Sequence, residues 1–154
     1  MPQIVLTDIA KRYGKGEYAV EHLNLEIPEG SFTAILGPSG CGKTTTLRML
    51  AGLEQPTHGS IVVGDRVFSS AKDGIFMRPN DRDLGFVFQN YALWPHLSVA
   101  RNVDFGLSIQ KMPRSSRQRR VEEILELLGI GHLANRLPAQ LSGGEQQRVA
   151  VARA

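Results

Sequence analysis

Eight consecutive residues, Gly37-Pro38-Ser39-Gly40-Cys41-Gly42-Lys43-Thr44, have the types and spacing to hold a phosphate group. The pattern G-x-x-x-x-G-K-[ST] uses each of its fixed positions. The glycines let successive backbone N–H groups turn inward around anionic oxygens. Lys43 reaches the outer phosphates of a nucleoside triphosphate, the Thr44 hydroxyl ligates Mg²⁺, and Thr45 follows on the same turn. A helix that starts here directs its positive end at the anion. Further along, Leu141-Ser142-Gly143-Gly144-Glu145 has the S-x-x-E spacing of a capping box, with Ser142 capping a helix and Glu145 reaching back to it. Gly143 and Gly144 leave the first-turn amides unshielded, so an anion can approach there too.

The elements that must carry these residues follow from periodicity and breakers. Residues 3–8 read as a short strand and 11–17, with two glycines, as a turn. Val20, Leu23, Leu25 and Ile27 mark a half-buried strand over 20–27, broken by Pro28-Glu29-Gly30. The apolar run 32–36 predicts a buried strand leading into the phosphate loop. A helix over 43–51 stops at Gly52. Gly64-Asp65 splits 60–63 from 66–68 as a hairpin. The polar stretch 69–82 reads as loop, and 84–88 as a second buried strand. Residues 98–107 and 117–128 then read as helices. In the second of these Val121, Ile124, Leu125 and Leu128 form one apolar face, and Gly129 stops it. A last helix begins at Ser142 and still runs at Ala154. The first two-thirds is therefore strand-rich and the last third helical, with no internal repeat or linker.

Length and composition limit the classes of function. The 154 residues suffice for one domain with its own core. No apolar run reaches the roughly 20 residues that cross a bilayer. Met1-Pro2-Gln3-Ile4 lacks the layout of a signal peptide, which predicts a cytoplasmic protein. Cys41 has no second cysteine to pair with, in keeping with a reducing compartment. The net charge of +3 is too small by itself to indicate a nucleic-acid partner.

Taken together, the motifs resemble those of the ATP-binding subunit of ABC transporters, in the family's order and over essentially the whole chain. Gly37 to Thr44 is similar to its Walker A motif, and Leu141-Ser142-Gly143-Gly144-Glu145-Gln146-Gln147-Arg148 to its signature motif. Gln89, after an apolar run, resembles the Q-loop glutamine. Tyr13, in Lys11-Arg12-Tyr13-Gly14, sits where the family stacks an aromatic ring on adenine. Asn90-Tyr91-Ala92-Leu93-Trp94-Pro95-His96-Leu97-Ser98-Val99, with Asn102-Val103 and Phe105-Gly106-Leu107, resembles the importers for sugars, polyamines and ferric iron. The resemblance implies an α/β P-loop NTPase: an ABC-type ATPase core with an antiparallel β subdomain and a helical subdomain. It divides the chain into a strand-rich part with the phosphate loop (1–88), a helical subdomain (89–141) and the signature helix (142–154).

The resemblance also implies a mechanism. Two such subunits, as a homodimer, close head to tail on two ATP molecules. Each ATP is held by Gly37, Pro38, Ser39, Gly40, Cys41, Gly42, Lys43, Thr44 and Thr45 of one copy and by Ser142, Gly143 and Gly144 of the other. Tyr13 stacks on the base. Gln89 contacts Mg²⁺ and the attacking water. Residues 89–99 meet the membrane-spanning permease subunits, which places the protein peripherally at the inner face of the cell membrane.

The family's remaining catalytic parts have no counterpart in these residues. An apolar strand ending in Asp-Glu and a late histidine belong after the signature helix. The adjacent acids Glu122-Glu123 lie on the polar side of a helix, and Asp8 ends a strand ahead of the phosphate loop. Asp8, His22, His58, His96 and His132 read as ordinary surface or core residues. These observations predict a C-terminally truncated chain that binds ATP weakly, is marginally stable and does not turn over. A non-catalytic nucleotide-binding short form and a non-transport ABC ATPase are the alternatives. Lys111, Arg114, Arg117, Arg119 and Arg120 form a basic cluster that reads as a solvated helix face, since no aromatics interleave it for base stacking. No nucleic-acid partner is expected. Cys41 stands where oxidation would block nucleotide, and Trp94 reads as packing or partner contact.

Overall fold

The structure is a computed structural model that describes residues 2–154. The chain divides into two compact units, residues 1–84 and 85–154.

The first unit is built on an antiparallel sheet of five strands. These are β1 (Ile4–Arg12), β2 (Tyr18–Ile27), β3 (His58–Val63), β4 (Arg66–Ser70) and β5 (Ile75–Phe76), in the spatial order β2-β1-β3-β4-β5. Ile4 faces Ile27 on one side and Val63 on the other, which sets the register of the three long strands. Alternation puts Ile4 and Leu6 on the buried face, and a bulge between Leu6 and Ile9 restores Ile9 to it. At that bulge Asp8 and His22 both have positive φ, and their side chains meet at 2.6 Å. Helix α1 (Lys43–Leu50) lays Met49 on this face, completing a core with Ile61, Val63 and Phe68.

The second unit is helical: α2 (Val99–Ile109), α3 (Arg114–Leu127) and α4 (Gly143–Arg153). Their apolar stripes meet in a core of Val99, Val103, Val121, Leu125, Ile130, Leu133, Leu141 and Val149. Asn102, fully buried, donates to the carbonyls of Trp94, Leu97 and Ser98 and accepts from the Trp94 amide. One side chain thus fixes the segment before α2. No helix among the described residues is long and apolar enough to cross a membrane.

Several sequence-based boundaries change. Strand β1 continues through Lys11 and Arg12, which the sequence assigned to a turn, because both pair with β2. The stretch 69–82 is not simply loop: it holds the end of β4, all of β5 and a 3₁₀ turn at Pro79–Asp81. Helix α3 starts at Arg114, about two polar turns ahead of its first buried residue, Val121. The larger correction concerns 32–36 and 84–88. Neither is a strand and neither is buried as a unit: Phe32 is 97% and Leu36 88% exposed. An apolar run records a demand for burial, but a strand exists only where a neighbour exchanges N–H and C=O groups with it. None of β1 to β5 does so with either run.

Candidate nucleotide site

The loop before α1 is shaped by one close approach. Gly42, with φ 88°, caps the helix in the left-handed region. A Cβ there would stand 2.5 Å from the Ala19 carbonyl oxygen and 2.7 Å from Val20 Cγ2. Gly42→Ala therefore combines backbone strain with overlap against β2, together about 2–4 kcal/mol. Urea unfolding should show that loss, and a change under about 0.5 kcal/mol would contradict the tight contact.

With Gly42 so placed, the start of α1 leaves three backbone amides open. The first helical amide with a carbonyl partner is that of Thr46, which donates to Gly42 at 2.8 Å. The amides of Lys43, Thr44 and Thr45 have no acceptor among the described residues, and no side chain caps the helix. These are the orphan donors of a helix start, aimed along the positive end of its dipole. Lys43 folds over the same loop, its ammonium donating to the Gly37 and Pro38 carbonyls at 2.7 and 2.6 Å and lying 3.5 Å from Cys41 Sγ. Ser39 and Gly40 form the exposed turn between them, and Thr44 is exposed beside Lys43. Three unpartnered amides, a mobile-length cation and a hydroxyl fit a polyphosphate with its metal ion. A cavity of about 550 Å³ opens next to the loop, lined by Val20, Leu23, Leu25, Ile35, Cys41 and Lys43 among others. Tyr18 is on that lining. Tyr13 is half exposed in the same unit, with Lys11 Nζ 4.9 Å from its ring centre.

At the opposite end of α1 from the loop lies a residue whose importance the sequence did not show. Arg82 is 1% exposed and sits among backbone carbonyls. Its Nε donates to Met77 O, its Nη1 to Met49 O and Leu50 O, and its Nη2 to Phe68 O, all between 2.8 and 3.1 Å. Met49 and Leu50 are the last residues of α1, so the guanidinium gives Leu50 O a donor that the helix lacks and gives Met49 O a second one beside the Gly52 amide. It also stacks against Phe68 and Phe76 at 5.1 and 5.3 Å. Burial lowers its pKa to about 10, so it stays charged at neutral pH. Arg82 thus locks the far end of the phosphate-loop helix to the β4–β5 hairpin.

In the second unit, Ser142 caps α4 with a complete capping box. Its amide and hydroxyl donate to Glu145 Oε2 at 2.6 and 2.7 Å, and the Glu145 amide donates back to Ser142 Oγ at 3.4 Å. Those bonds from Ser142 hold the Glu145 carboxyl below its ordinary 4.5. The cap is therefore complete above that value and is lost as pH falls through the lowered folded value. Carboxyl NMR should give Glu145 a midpoint below 4.5, and a midpoint at or above it would contradict the box.

Gly143 and Gly144 have no structural need to be glycine. A Cβ on either meets nothing within 4 Å, and neither has positive φ. Replacing each by alanine should stabilise the chain by up to about 1 kcal/mol through helix propensity. Thermal unfolding of the two variants tests this, and destabilisation would show a hidden contact. Gln89 is exposed in a turn just before Tyr91 and Ala92, both with left-handed φ at about 1–2 kcal/mol apiece.

The predicted site residues thus fall in two groups. Tyr13 and the phosphate loop belong to residues 1–84, and Gln89 and the Ser142 turn to residues 85–154. Among the described residues no three His, Cys, Asp or Glu side chains gather as metal ligands. In the basic cluster Arg117 pairs with Asp104, and Arg119 and Arg120 with Glu123.

The sequence model of the ABC transporter family matches residues 20–154. The chain is 50% identical over 154 residues to the trehalose/maltose import ATP-binding protein MalK of Thermococcus litoralis, covering all of this chain and 41% of the relative. It is 50% identical over 157 residues to the spermidine/putrescine import ATP-binding protein PotA of Thermobifida fusca, again over its whole length and 39% of the relative. The chain thus spans about two-fifths of the length of these curated relatives. Among solved structures it resembles the ATP-binding cassette MJ0796, a dimer bound to ADP and Pi, with TM-score 0.80 and 35% identity over 97% of this chain and 68% of that one.

Proposed function

Because the chain belongs to the ABC transporter family, we propose that it serves as the ATP-binding subunit of an importer, coupling ATP binding and hydrolysis to solute uptake. The carrying observation is the phosphate loop: three unpartnered amides at the start of α1 under a Lys43 ammonium already turned onto the loop. In this function Lys43 binds the outer phosphates, Thr44 holds Mg²⁺, the amides of residues 40–45 cradle the oxygens, and Tyr13 stacks on the base. Mg²⁺ supplies charge neutralisation at the phosphates when bound. The open space over Gly143 and Gly144 supports a role outside their own copy. There Ser142, Gly143 and Gly144 would close on the ATP held by a second subunit.

Gln89 is assigned to the metal and the attacking water, and residues 89–99 to docking on membrane-spanning subunits at the cytoplasmic face. The half-exposed Trp94 and Phe105, with ring centres 5.5 Å apart, offer an apolar contact there. Residues 1–88, 89–141 and 142–154 are proposed as the nucleotide-loop, helical and signature-helix parts. Hydrolysis needs an acidic base that residues 2–154 do not offer at the phosphate loop. Glu123, of the one adjacent acidic pair, is tied to Arg119 and Arg120 on α3. These residues alone are therefore proposed to bind nucleotide without turnover.

Paired variants in the producing cells test the function. Lys43→Ala should abolish both ATP binding and solute uptake, whereas Trp94→Ala should lose uptake and keep ATP binding. Uptake that survives Lys43→Ala would exclude the importer role.

A further inference from the structure

The two left-handed residues that follow Asn90 present their carbonyls to one side chain. Tyr91 has φ 61° and Ala92 φ 47°, and a helical pair of either hand points its successive carbonyls to the same side. Arg153, the last helical residue of α4, meets both. Its Nη1 donates to Ala92 O at 2.5 Å and its Nη2 to Tyr91 O at 3.0 Å. A planar guanidinium fork fits two parallel carbonyls in a fixed geometry, whereas an ammonium is a point charge that imposes none. Arg153 is partly buried, and burial lowers its pKa, in keeping with a cation committed to these partners.

We propose that Arg153 is a positioning residue that sets the backbone of the Tyr91–Ala92 turn and so ties the signature helix to the segment after Gln89. Helix α4 carries Ser142 at one end and Arg153 at the other, about 16 Å apart along its axis. Val149 and Ala150 between them are fully packed, so the helix moves as a rod. The segment that follows the turn is pinned at its other end by Asn102. A displacement of the Ser142 end by a second subunit's nucleotide would therefore reach residues 91–98 through the Arg153 guanidinium, alongside the packing of Leu93 on the core that holds Val149. What that segment then does rests on the importer function proposed above; the clamp itself does not.

Amide hydrogen exchange on the chain tests the clamp. Arg153→Ala should speed exchange at the amides of Tyr91 and Ala92, which donate to Phe88 and Asn90, about tenfold. Amides within α2 and α3 should stay within about twofold. Arg153→Lys should fall between. Adding Ala92→Gly to Arg153→Ala should recover part of the protection, since glycine adopts positive φ without strain. Uniform acceleration through α2, α3 and α4 would make Arg153 merely structural, and no acceleration at Tyr91 and Ala92 would overturn the proposal. ATP binding, measured in parallel, should be equal in parent and Arg153→Ala. Failure of the parent to bind ATP would count against the nucleotide function and leave the clamp standing.

Discussion

Replacing Lys43 with alanine should lower the affinity for MgATP by roughly 100- to 1,000-fold while leaving the melting temperature nearly unchanged. The ammonium is the only side-chain cation on the loop between Gly37 and Thr45, and charge-assisted hydrogen bonds to phosphate are each worth about 1.5–3 kcal/mol. Losing two such bonds, each taken at the lower end of that range, removes about 3–4 kcal/mol of binding, which is the stated factor. Lys43 donates to the Gly37 and Pro38 carbonyls and lies near Cys41 Sγ in a partly exposed setting, so its removal costs the fold under about 1 kcal/mol. Titration calorimetry and thermal unfolding on the same variant separate the two effects. An affinity within about threefold of the parent would mean that the loop does not use Lys43 for phosphate.

The largest effect on stability should come from Arg82. Arg82→Ala leaves the Leu50 and Met77 carbonyls without their donor and takes one of two donors from those of Met49 and Phe68, which keep the Gly52 and Met77 amides, all at a site 1% exposed, and it removes the group packed on two aromatic rings. Removing one member of such a buried charged network costs about 3–5 kcal/mol. That is a large share of the roughly 5–15 kcal/mol that holds a domain together. Arg82→Lys should recover little, because a single ammonium cannot span four carbonyls on three elements. Denaturant unfolding followed by circular dichroism measures the loss. A cost below about 1 kcal/mol would mean that water replaces the guanidinium freely.

What was legible in the sequence is what local chemistry dictates. Gly42, Lys43 and Thr44 announce the phosphate loop because each fixed type in the pattern does one job. Ser142 and Glu145 announce the start of α4 because a capping box is a spacing rule. The apolar face of Val121, Ile124, Leu125 and Leu128 placed α3, though not its polar first turn from Arg114. Arg82 was invisible for the opposite reason. Between Asp81 and Asp83 in a polar stretch it looks like a surface arginine, and its partners lie up to 33 residues away. Asn102 is similar: no periodicity marks the residue that collects four bonds from the segment before α2. Residues 32–36 and 84–88 misled in a third way. Both runs are apolar, but pairing depends on a neighbouring strand, and composition does not report one.

The central claim is that the loop before α1 is a phosphate receptor. The most direct measurement is a titration of the chain with MgATP, followed at individual backbone amides by NMR. The account predicts saturable shifts concentrated at Gly40, Gly42, Lys43, Thr44 and Thr45, with a smaller response at Tyr13. Absence of saturation, or shifts confined to the basic residues Lys111, Arg114, Arg117, Arg119 and Arg120, would contradict it.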